Sequence, residues 1–227
     1  MGVAMRFVVT AGPTREFIDP VRFLSNPSTG RMGFAVASAA IAAGHEVTLV
    51  AGPVALHTPS GAVRIDVVSA REMLAAVKTA MVGADAMVMT AAVADWRPAR
   101  CAARKLKKGE MSGTLQLVRN PDILKTLSRL YGSAHPGRKG HRPVMVGFAA
   151  ETGAPDSEAV RKCREKGLDI VVGNDVLSPG SGFGVATNRV TFATPDGHVQ
   201  HLPLMGKLAV ARRIVRFVEE TARRRRG

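Results

Sequence analysis

Short apolar runs alternate with segments of helical periodicity along most of the chain. Several runs are almost continuously apolar, as strands buried on both faces of a sheet are: 6–10, 46–51, 86–90, 144–148 and 168–173. Between them, apolar residues recur every three or four positions, which predicts helices over 31–43, 71–82, 121–130 and 156–166. This alternation is typical of an α/β fold in which a mostly parallel sheet carries helices on both faces.

Two predicted helices begin with recognisable capping residues. Ser69 is followed three residues later by Glu72, the spacing of a capping box. Asn120 precedes Pro121, which predicts Asn120 as the N-cap and Pro121 as the first helical residue.

The last part of the chain has a different pattern. Residues 189–204 predict a hairpin that turns at 195–197, and a helix follows over about 205–223. The sequence contains neither an internal repeat nor a linker. We therefore expect a single domain over 1–227, with a flexible tail at 223–227.

Composition narrows the class of protein. Hydrophobic residues make up 46% of the chain and charged residues 22%, as in soluble globular proteins. The best candidate for a membrane span is interrupted at 44–46, and the N-terminus lacks the regions of a signal peptide. Cys101 and Cys163 are too few for a disulfide framework or a metal cluster. We expect a cytoplasmic protein with no membrane partner.

The formal net charge of +14 raises the question of a polyanionic partner. The basic residues cluster in the tail and in predicted loops, at 97–108, 138–142 and 223–226. Such clusters serve nucleic acids or a small polyanion held in a cleft. Because only 4% of the residues are aromatic, the chain lacks the stacking platform of single-strand binders. A nucleic-acid-binding protein therefore stays an alternative that the sequence disfavours.

A candidate phosphate-binding segment precedes the first predicted helix. Residues 25–33 read SNPSTGRMG, and Ser28, Gly30 and Gly33 reproduce the spacing of the dinucleotide motif G-x-G-x-x-G with serine in the first position. Backbone N–H groups at a helix start suit phosphate oxygens, and the glycines permit close approach of a ligand and of the strand. An ordinary serine-capped helix is the alternative interpretation.

Three further loops carry candidate polar groups. The segment TAAVADWRP follows the third predicted strand, and its Asp95 is a hydrogen-bond acceptor or a turn residue. The cationic segment RKLKK at 104–108 could neutralise a triphosphate or could be solvated. Asn174 opens a second glycine-rich loop, GNDVLSPGSGFG. A nicotinamide-dependent reductase on the same sheet is a further alternative, although Tyr131 has His135 where short-chain dehydrogenases need a lysine.

Taken in order, the segments of the chain resemble the phosphopantothenoylcysteine synthetase (phosphopantothenate–cysteine ligase) family of coenzyme A biosynthesis. The matching segments are AGPTRE-IDPVRFLSN-S-G-MG, AAVADWRP, KLKK, LVRNPDIL, VGFAAET, GLDIVVGNDV, GSGFG and LPLMGK. The resemblance implies a Rossmann-like fold and a homodimer. Bacterial members are often fused to a flavin-dependent decarboxylase. The matching segments account for the synthetase only, so we expect a stand-alone synthetase without flavin, with a separate decarboxylase as a candidate partner.

The resemblance also implies a two-step reaction. The carboxylate of 4'-phosphopantothenate attacks the α-phosphate of CTP, with Mg²⁺, to give an acyl-cytidylate and pyrophosphate. The amine of L-cysteine then displaces CMP and forms an amide. CTP rather than ATP is expected because the segments look bacterial.

Roles of individual residues are carried over from the same resemblance. Asn26 matches the catalytic asparagine beside the reacting carbonyl. Lys105 matches the lysine needed for acyl-nucleotide formation. Arg22 matches an arginine that reaches the partner's phosphopantothenate across the dimer. Substrate-binding positions are matched by Arg22, Asn26, Ala91, Ala92 and Asp95. Nucleotide-binding positions are matched by Gly12, Ser28, Gly30, Gly33, Met89, Thr90, Ala91, Asp95, Lys105, Pro121, Asp122, Ile123, Leu124, Phe148, Lys162, Lys166 and Asn174. The metal ligands are not identified.

Overall fold

The structure is a computed structural model that describes residues 3–110, 113–131, 142–153 and 156–226. In chain order its strands are β1 (Arg6–Ala11), β2 (Arg15–Phe17), β3 (Phe23–Ser25), β4 (Glu46–Ala51), β5 (Ala62–Asp66), β6 (Ala86–Met89), β7 (Trp96–Pro98), β8 (Leu117–Arg119), β9 (Val144–Glu151), β10 (Ile170–Asp175), β11 (Thr187–Asn188), β12 (Thr191–Ala193), β13 (Val199–His201) and β14 (Met205–Gly206). The helices are α1 (Arg31–Ala42), α2 (Ala70–Ala80), α3 (Ile123–Tyr131), α4 (Asp156–Glu165) and α5 (Lys207–Arg226).

The main sheet has eight strands in the order β13-β12-β10-β9-β6-β1-β4-β5. The six strands from β10 to β5 are parallel, and the β12–β13 hairpin adds two antiparallel strands at one edge. The predicted α/β, Rossmann-like fold with a C-terminal hairpin and helix is therefore confirmed.

Each face of the sheet carries its own core, because side chains alternate between the two faces along a strand. On one face, Phe7 and Val9 pack with the side chains of α1 and α5. On the other face, Val8 packs with the side chains of α2, α3 and α4. The strands are buried on both sides, which explains why their sequences are almost continuously apolar.

Several short elements were not predicted from the pattern. The edge strand β5 pairs with β4 but is only partly buried, so it lacks a long apolar run. The two-stranded pairs β2–β3, β7–β8 and β11–β14 are two or three residues long on each side, too short to show a period.

The capping predictions have opposite outcomes. Ser69 caps α2, since its hydroxyl accepts the N–H of Glu72 at 3.2 Å, and the Glu72 carboxylate in turn accepts the N–H of Val68 at 2.9 Å. The prediction for α3 is wrong. Asp122 accepts the N–H of Lys125 at 3.0 Å, while the Asn120 side chain donates to the carbonyl oxygen of Ala94 at 2.8 Å.

Residues 223–226, expected as part of a flexible tail, continue α5 in the structure. Arg225 forms an ion pair with Asp169, and Arg226 lies 3.3 Å from Asp85. These carboxylates directly precede β10 and β6, so the end of α5 is held at the amino edge of the sheet. Two tail arginines are thus neutralised, which weakens the nucleic-acid alternative. Within the described ranges, none of the helices is long and apolar enough to span a bilayer.

The start of α1 lies unusually close to the sheet. A Cβ atom on Gly33 would stand 2.5 Å from the Ala11 Cβ and the Thr90 Oγ1, and 2.7 Å from the carbonyl oxygen of Thr10. Only glycine permits this approach. It places the first turn of α1 against the carboxyl ends of β1 and β6.

We expect Gly33→Ala to lower the free energy of unfolding by about 1–3 kcal/mol, because the added methyl group overpacks the contact between helix and strand. Urea unfolding followed by circular dichroism measures the change. Gly109→Ala is the control, since a Cβ at that position meets nothing within 4 Å. Equal stability of the two variants would contradict the close approach.

Candidate functional site

A cavity of about 760 Å³ opens at the carboxyl ends of the central parallel strands. Its volume lies within the range of small-molecule sites, and its position is the usual ligand site of open α/β sheets. The chain contributes to its wall from Asn26, 28–33, 89–96, 119–124, 148–150, Lys162, Lys166, Asn174, Val176, Gly182, Phe183, Asn188 and Lys207.

Most of the residues predicted for the site line this one cavity. They are Asn26, Ser28, Gly30, Gly33, Met89, Thr90, Ala91, Ala92, Asp95, Pro121, Asp122, Ile123, Leu124, Phe148, Lys162, Lys166 and Asn174. Gly12, Arg22 and Lys105 are not part of its wall. The structure thus brings together segments far apart in the chain, while the individual roles of these residues stay predictions.

The first turn of α1 forms one end of the cavity. Gly30 is its N-cap in the left-handed region, with φ 77°, and no side chain caps the helix. Ser28 accepts only the N–H of Gly30, at 3.4 Å, so the alternative of an ordinary serine-capped helix is wrong. The uncapped N–H groups and the positive end of the helix dipole are therefore available to an anion.

Gly12 supports this turn from below rather than lining the cavity. It has φ 79°, and its carbonyl oxygen accepts the N–H of Ala92 at 2.9 Å. A Cβ on Gly30 would lie 3.3 Å from the Gly12 nitrogen. Gly12 therefore provides a close backbone contact between the loop after β1 and the start of α1, and its nucleotide-binding role stays a prediction.

Asn26 is fixed by one hydrogen bond, from its Nδ2 to the carbonyl oxygen of Ala92 at 3.1 Å. Among the described residues, its Oδ1 has no partner. One N–H and the side-chain oxygen therefore stay available for a ligand beside Ala92.

The neighbouring loop is tied to the start of α3. Asn120 donates its backbone N–H to the Asp95 carbonyl oxygen at 2.8 Å and its side-chain amide to Ala94. The Asp95 carboxylate is exposed and makes no hydrogen bond within the described ranges. Among the described residues, the Asp95 carboxylate is thus an unoccupied acceptor on the cavity wall.

The lysines of the α4 end are already paired with carboxylates. The Lys162 Nζ lies 2.5 Å from Glu151 and 3.5 Å from Glu158, whereas that of Lys166 lies 3.0 Å from Asp122. These lysines therefore contribute hydrogen-bond donors to the cavity but little uncompensated charge.

Arg22 and the lysine loop are held together by the fully buried Asp19. Asp19 accepts the Arg22 Nε at 3.0 Å, the backbone N–H of Arg22 at 2.8 Å and that of Leu106 at 3.2 Å. Arg22 also donates to the carbonyl oxygen of Leu106 at 2.8 Å. The Arg22 guanidinium and these N–H groups hold the pKa of Asp19 well below its usual range. The exposed Lys105 is thereby anchored next to Arg22, an intrachain contact that the sequence did not reveal.

Several residues of the cavity wall were not predicted as site residues, and the basic residues Arg31 and Lys207 are among them. Both lie in motifs that the sequence analysis quoted, SNPSTGRMG and LPLMGK, and each is the first residue of a helix. Their basic character at helix starts was the signal that could have identified them.

The remaining sequence alternatives gain no support from the geometry. Tyr131 is buried in the core with its hydroxyl 3.2 Å from the carbonyl oxygen of Lys78, away from the cavity wall. This position does not suit a catalytic tyrosine of a reductase. The parts of the chain that the structure describes contain no group of three or more His, Cys, Asp or Glu residues arranged to hold a metal ion.

Residues 3–221 match the protein family described as the DNA/pantothenate metabolism flavoprotein C-terminal domain. The chain is 45% identical over 212 residues to the coenzyme A biosynthesis bifunctional protein CoaBC of Bacillus subtilis, covering 93% of this chain and 50% of that protein. Against the protein of the same name from Escherichia coli K12 it is 41% identical over 226 residues, covering 96% and 54%. The chain spans about half the length of the curated relatives it matches.

Solved structures agree with this family. A crystal structure of the C-terminal domain of CoaBC superposes with a TM-score of 0.78 at 39% identity, covering 97% of this chain and 96% of that one. A Cab2 mutant in complex with phosphopantothenate-cysteine has a TM-score of 0.75 at 15% identity, with coverage of 96% and 87%. At that identity the likeness to Cab2 shows the fold alone.

The Asp19 anchor predicts a specific pH dependence of stability. Its pKa is lower in the folded than in the unfolded state, so its contribution is present above the unfolded pKa of about 4 and is lost as the pH falls. We expect Asp19→Asn to lower the melting temperature at pH 7 and to flatten its decline towards pH 3. Calorimetry at several pH values measures both effects.

Asp66→Asn is the matched control, because among the described residues this exposed carboxylate pairs with Arg64 alone. If the melting temperatures of the wild type and of Asp19→Asn declined equally between pH 7 and pH 3, the result would contradict the anchor.

Proposed function

The chain belongs to the DNA/pantothenate metabolism flavoprotein C-terminal domain family, and we propose that it is a phosphopantothenate–cysteine ligase. The observation that carries the proposal is the convergence, in one cavity of about 760 Å³, of most of the residues that match substrate and nucleotide positions of such ligases. The names of the CoaBC relatives point to the same pathway, coenzyme A biosynthesis.

The chemistry of the cavity suits activation of a carboxylate. An unactivated carboxylate does not react with an amine until its oxygen becomes part of a good leaving group. The uncapped start of α1 attracts a phosphate chain, and Asn26 offers an N–H beside the carbonyl oxygen of Ala92. In the proposed reaction, a phosphopantothenate carboxylate oxygen attacks the α-phosphate of CTP and pyrophosphate leaves. The cysteine amine then attacks the acyl carbon, and CMP leaves.

Magnesium is proposed as an ion carried by the nucleotide phosphates, which needs at most one or two protein carboxylates. Asp95 and Asp122 supply carboxylates on the cavity wall. When bound, the ion neutralises phosphate charge. The reaction as written uses no flavin, and a separate decarboxylase would consume its product. The cytoplasm is the proposed compartment, in keeping with the unpaired Cys101 and Cys163.

A homodimer is part of the proposal, and an exposed apolar patch supports it. Phe23 on β3, Trp96 on β7 and Leu117 on β8 are between 39% and 45% exposed, although large apolar side chains usually avoid water. Strands β2 and β7 are in contact, so these hairpins form one region near Arg22. In such a dimer Arg22 would bind the partner's phosphopantothenate while Asp19 holds it in place.

A direct assay tests the ligase. The protein is incubated with 4'-phosphopantothenate, L-cysteine, Mg²⁺ and one of CTP, ATP, GTP or UTP, and pyrophosphate is followed. We expect release with CTP alone, and only when phosphopantothenate is present. Absence of release with every nucleotide would refute the proposed function.

We expect Asn26→Asp to slow amide formation more than acyl-cytidylate formation, by roughly a hundredfold or about 3 kcal/mol in the barrier. An aspartate removes the amide donor and sets a carboxylate oxygen against the carbonyl oxygen of Ala92, 3.1 Å from the present Nδ2. Rapid-quench measurement of both half-reactions should show the acyl-cytidylate accumulating with cysteine present. Equal slowing of both steps would argue against this role.

Lys105 lies outside the cavity wall, so its proposed role requires the lysine loop to approach the bound nucleotide. We then expect Lys105→Gln to reduce pyrophosphate release at least about a hundredfold, because the variant loses a point charge that stabilises the developing charge on the phosphates. The melting temperature should not change, since Lys105 is exposed and makes no hydrogen bond to a described residue. Lys108→Gln, in the same loop and equally exposed, is the control and should keep full activity. Equal activity of the two variants would remove Lys105 from the mechanism.

A further inference from the structure

Lys207 is a buried cation on the cavity wall with no role in the function proposed above. It is the first residue of α5, is only 8% exposed and donates from its Nζ to the carbonyl oxygen of Gly182 at 3.1 Å. Among the described residues its ammonium group has no carboxylate partner. Buried lysines without such a partner are rare, because desolvation of the charge is unfavourable.

Arg31 is the second cation at this end of the cavity. It is the first residue of α1 and lines the cavity, and within the described ranges its guanidinium makes no hydrogen bond or ion pair. Burial and then the charge of Arg31 lower the pKa of Lys207, so the two like charges act on each other. An anion between them would relieve both the desolvation and the repulsion.

The two helix starts add to this positive potential. Both α1 and α5 open onto the cavity at their first residues, where the helix dipole is positive, and α1 has no capping side chain. The α4 end differs, because Lys162 and Lys166 are neutralised by carboxylates. A further arginine of the wall, Arg119, lies over the Trp96 ring at 5.3 Å. Arg31 and Lys207 are therefore the uncompensated cations at the two helix starts, in contrast to the compensated lysines at the α4 end.

We infer that Lys207 and Arg31 bind the β- and γ-phosphates of the nucleoside triphosphate and stabilise the pyrophosphate leaving group. This inference rests on the proposed function. The α-phosphate of a nucleoside triphosphate carries one negative charge, whereas the β- and γ-phosphates together carry about three at neutral pH, so the end with two free cations matches the terminal phosphates. When the α-phosphorus–oxygen bond breaks, its electron pair moves to the bridging oxygen of pyrophosphate, and the nearby cations stabilise that added charge.

Binding to the complete chain in the presence of Mg²⁺ tests the inference. Calorimetry is carried out with CTP, CMP and inorganic triphosphate as probes, on the wild type and on Lys207→Gln, Lys207→Arg and Arg31→Gln. We expect Lys207→Gln to weaken binding of CTP and of inorganic triphosphate about ten- to one-hundredfold, the loss of one charge-assisted hydrogen bond. Binding of CMP, which lacks both terminal phosphates, should change by less than about twofold.

The other variants separate charge from folding. Lys207→Arg keeps the charge and should retain part of the affinity for CTP. Arg31→Gln changes an exposed side chain and should show the same selective loss, so the test does not depend on the folding of Lys207→Gln. Arg213→Gln, an exposed arginine on α5 outside the cavity wall, is the control for loss of one charge and should bind all three probes normally.

Steady-state kinetics distinguish the two phosphate-bearing substrates. We expect Lys207→Gln to raise the KM for CTP and to leave the KM for phosphopantothenate unchanged. A raised KM for phosphopantothenate alone would assign these cations to its phosphate monoester and overturn the inference, as would equal weakening of CTP and CMP.

Failure of the proposed function gives a different result. A wild-type chain that binds inorganic triphosphate through Lys207 but forms no phosphopantothenoylcysteine would refute the ligase and support the anion site. A wild-type chain that catalyses the ligation while Lys207→Gln binds CTP normally would support the ligase and overturn the inference.

Discussion

The close contact between α1 and the carboxyl ends of β1 and β6 is the constraint on which the site depends. Gly33 allows the first turn of the helix to approach Ala11 and Thr90 to distances that a side chain would prevent. The uncapped start of α1 is thereby held beside the loop after β6, where Asn26 bonds to Ala92. A phosphate at the helix start and a carbonyl group beside Asn26 would then be neighbours. Positioning of this kind, rather than a reactive side chain, is what the proposed reaction requires of the protein.

Electrostatics divides the same cavity into two parts. At the α4 end, acidic side chains compensate the charges of Lys162 and Lys166. This part of the wall would therefore bind a ligand through hydrogen bonds rather than through net charge. At the α1 and α5 end, Arg31 and Lys207 have no acidic partner among the described residues. Since a low-dielectric site strengthens the effect of charge, this division would orient a nucleotide along the cavity.

Much of the fold could be predicted because buried parallel strands leave a clear apolar signal. A hydrophobic period of two or of 3.6 residues appears only in elements that have a buried face and enough residues. The half-buried edge strand β5 and the two-residue strands β11 and β14 therefore could not be recognised in the sequence. Asn120 is of a residue type that often caps helices. Its amide instead donates a hydrogen bond to the carbonyl oxygen of Ala94, and Asp122 caps α3. The run of arginines at 223–226 was interpreted as a tail, because its partners Asp85 and Asp169 are distant in sequence and could not be identified from it.

The residues of the cavity wall could be predicted better than the contacts that their charged side chains make. Family motifs identified most of the cavity wall, since those segments are contiguous in sequence. They did not reveal Lys207, whose environment is set by Gly182 and by the start of α1. They also did not show that Arg22 and Leu106 share Asp19, a contact between segments more than 80 residues apart. Such pairings arise only when the chain folds.

Transfer of an oxygen isotope tests the central claim, activation of a carboxylate by a nucleotide, most directly. Phosphopantothenate labelled with ¹⁸O in its carboxylate is converted in the presence of CTP, Mg²⁺ and L-cysteine, and the products are analysed by mass spectrometry. Attack of the carboxylate on the α-phosphate predicts one ¹⁸O atom in each CMP and none in pyrophosphate. Unlabelled CMP, or label in orthophosphate, would contradict the account.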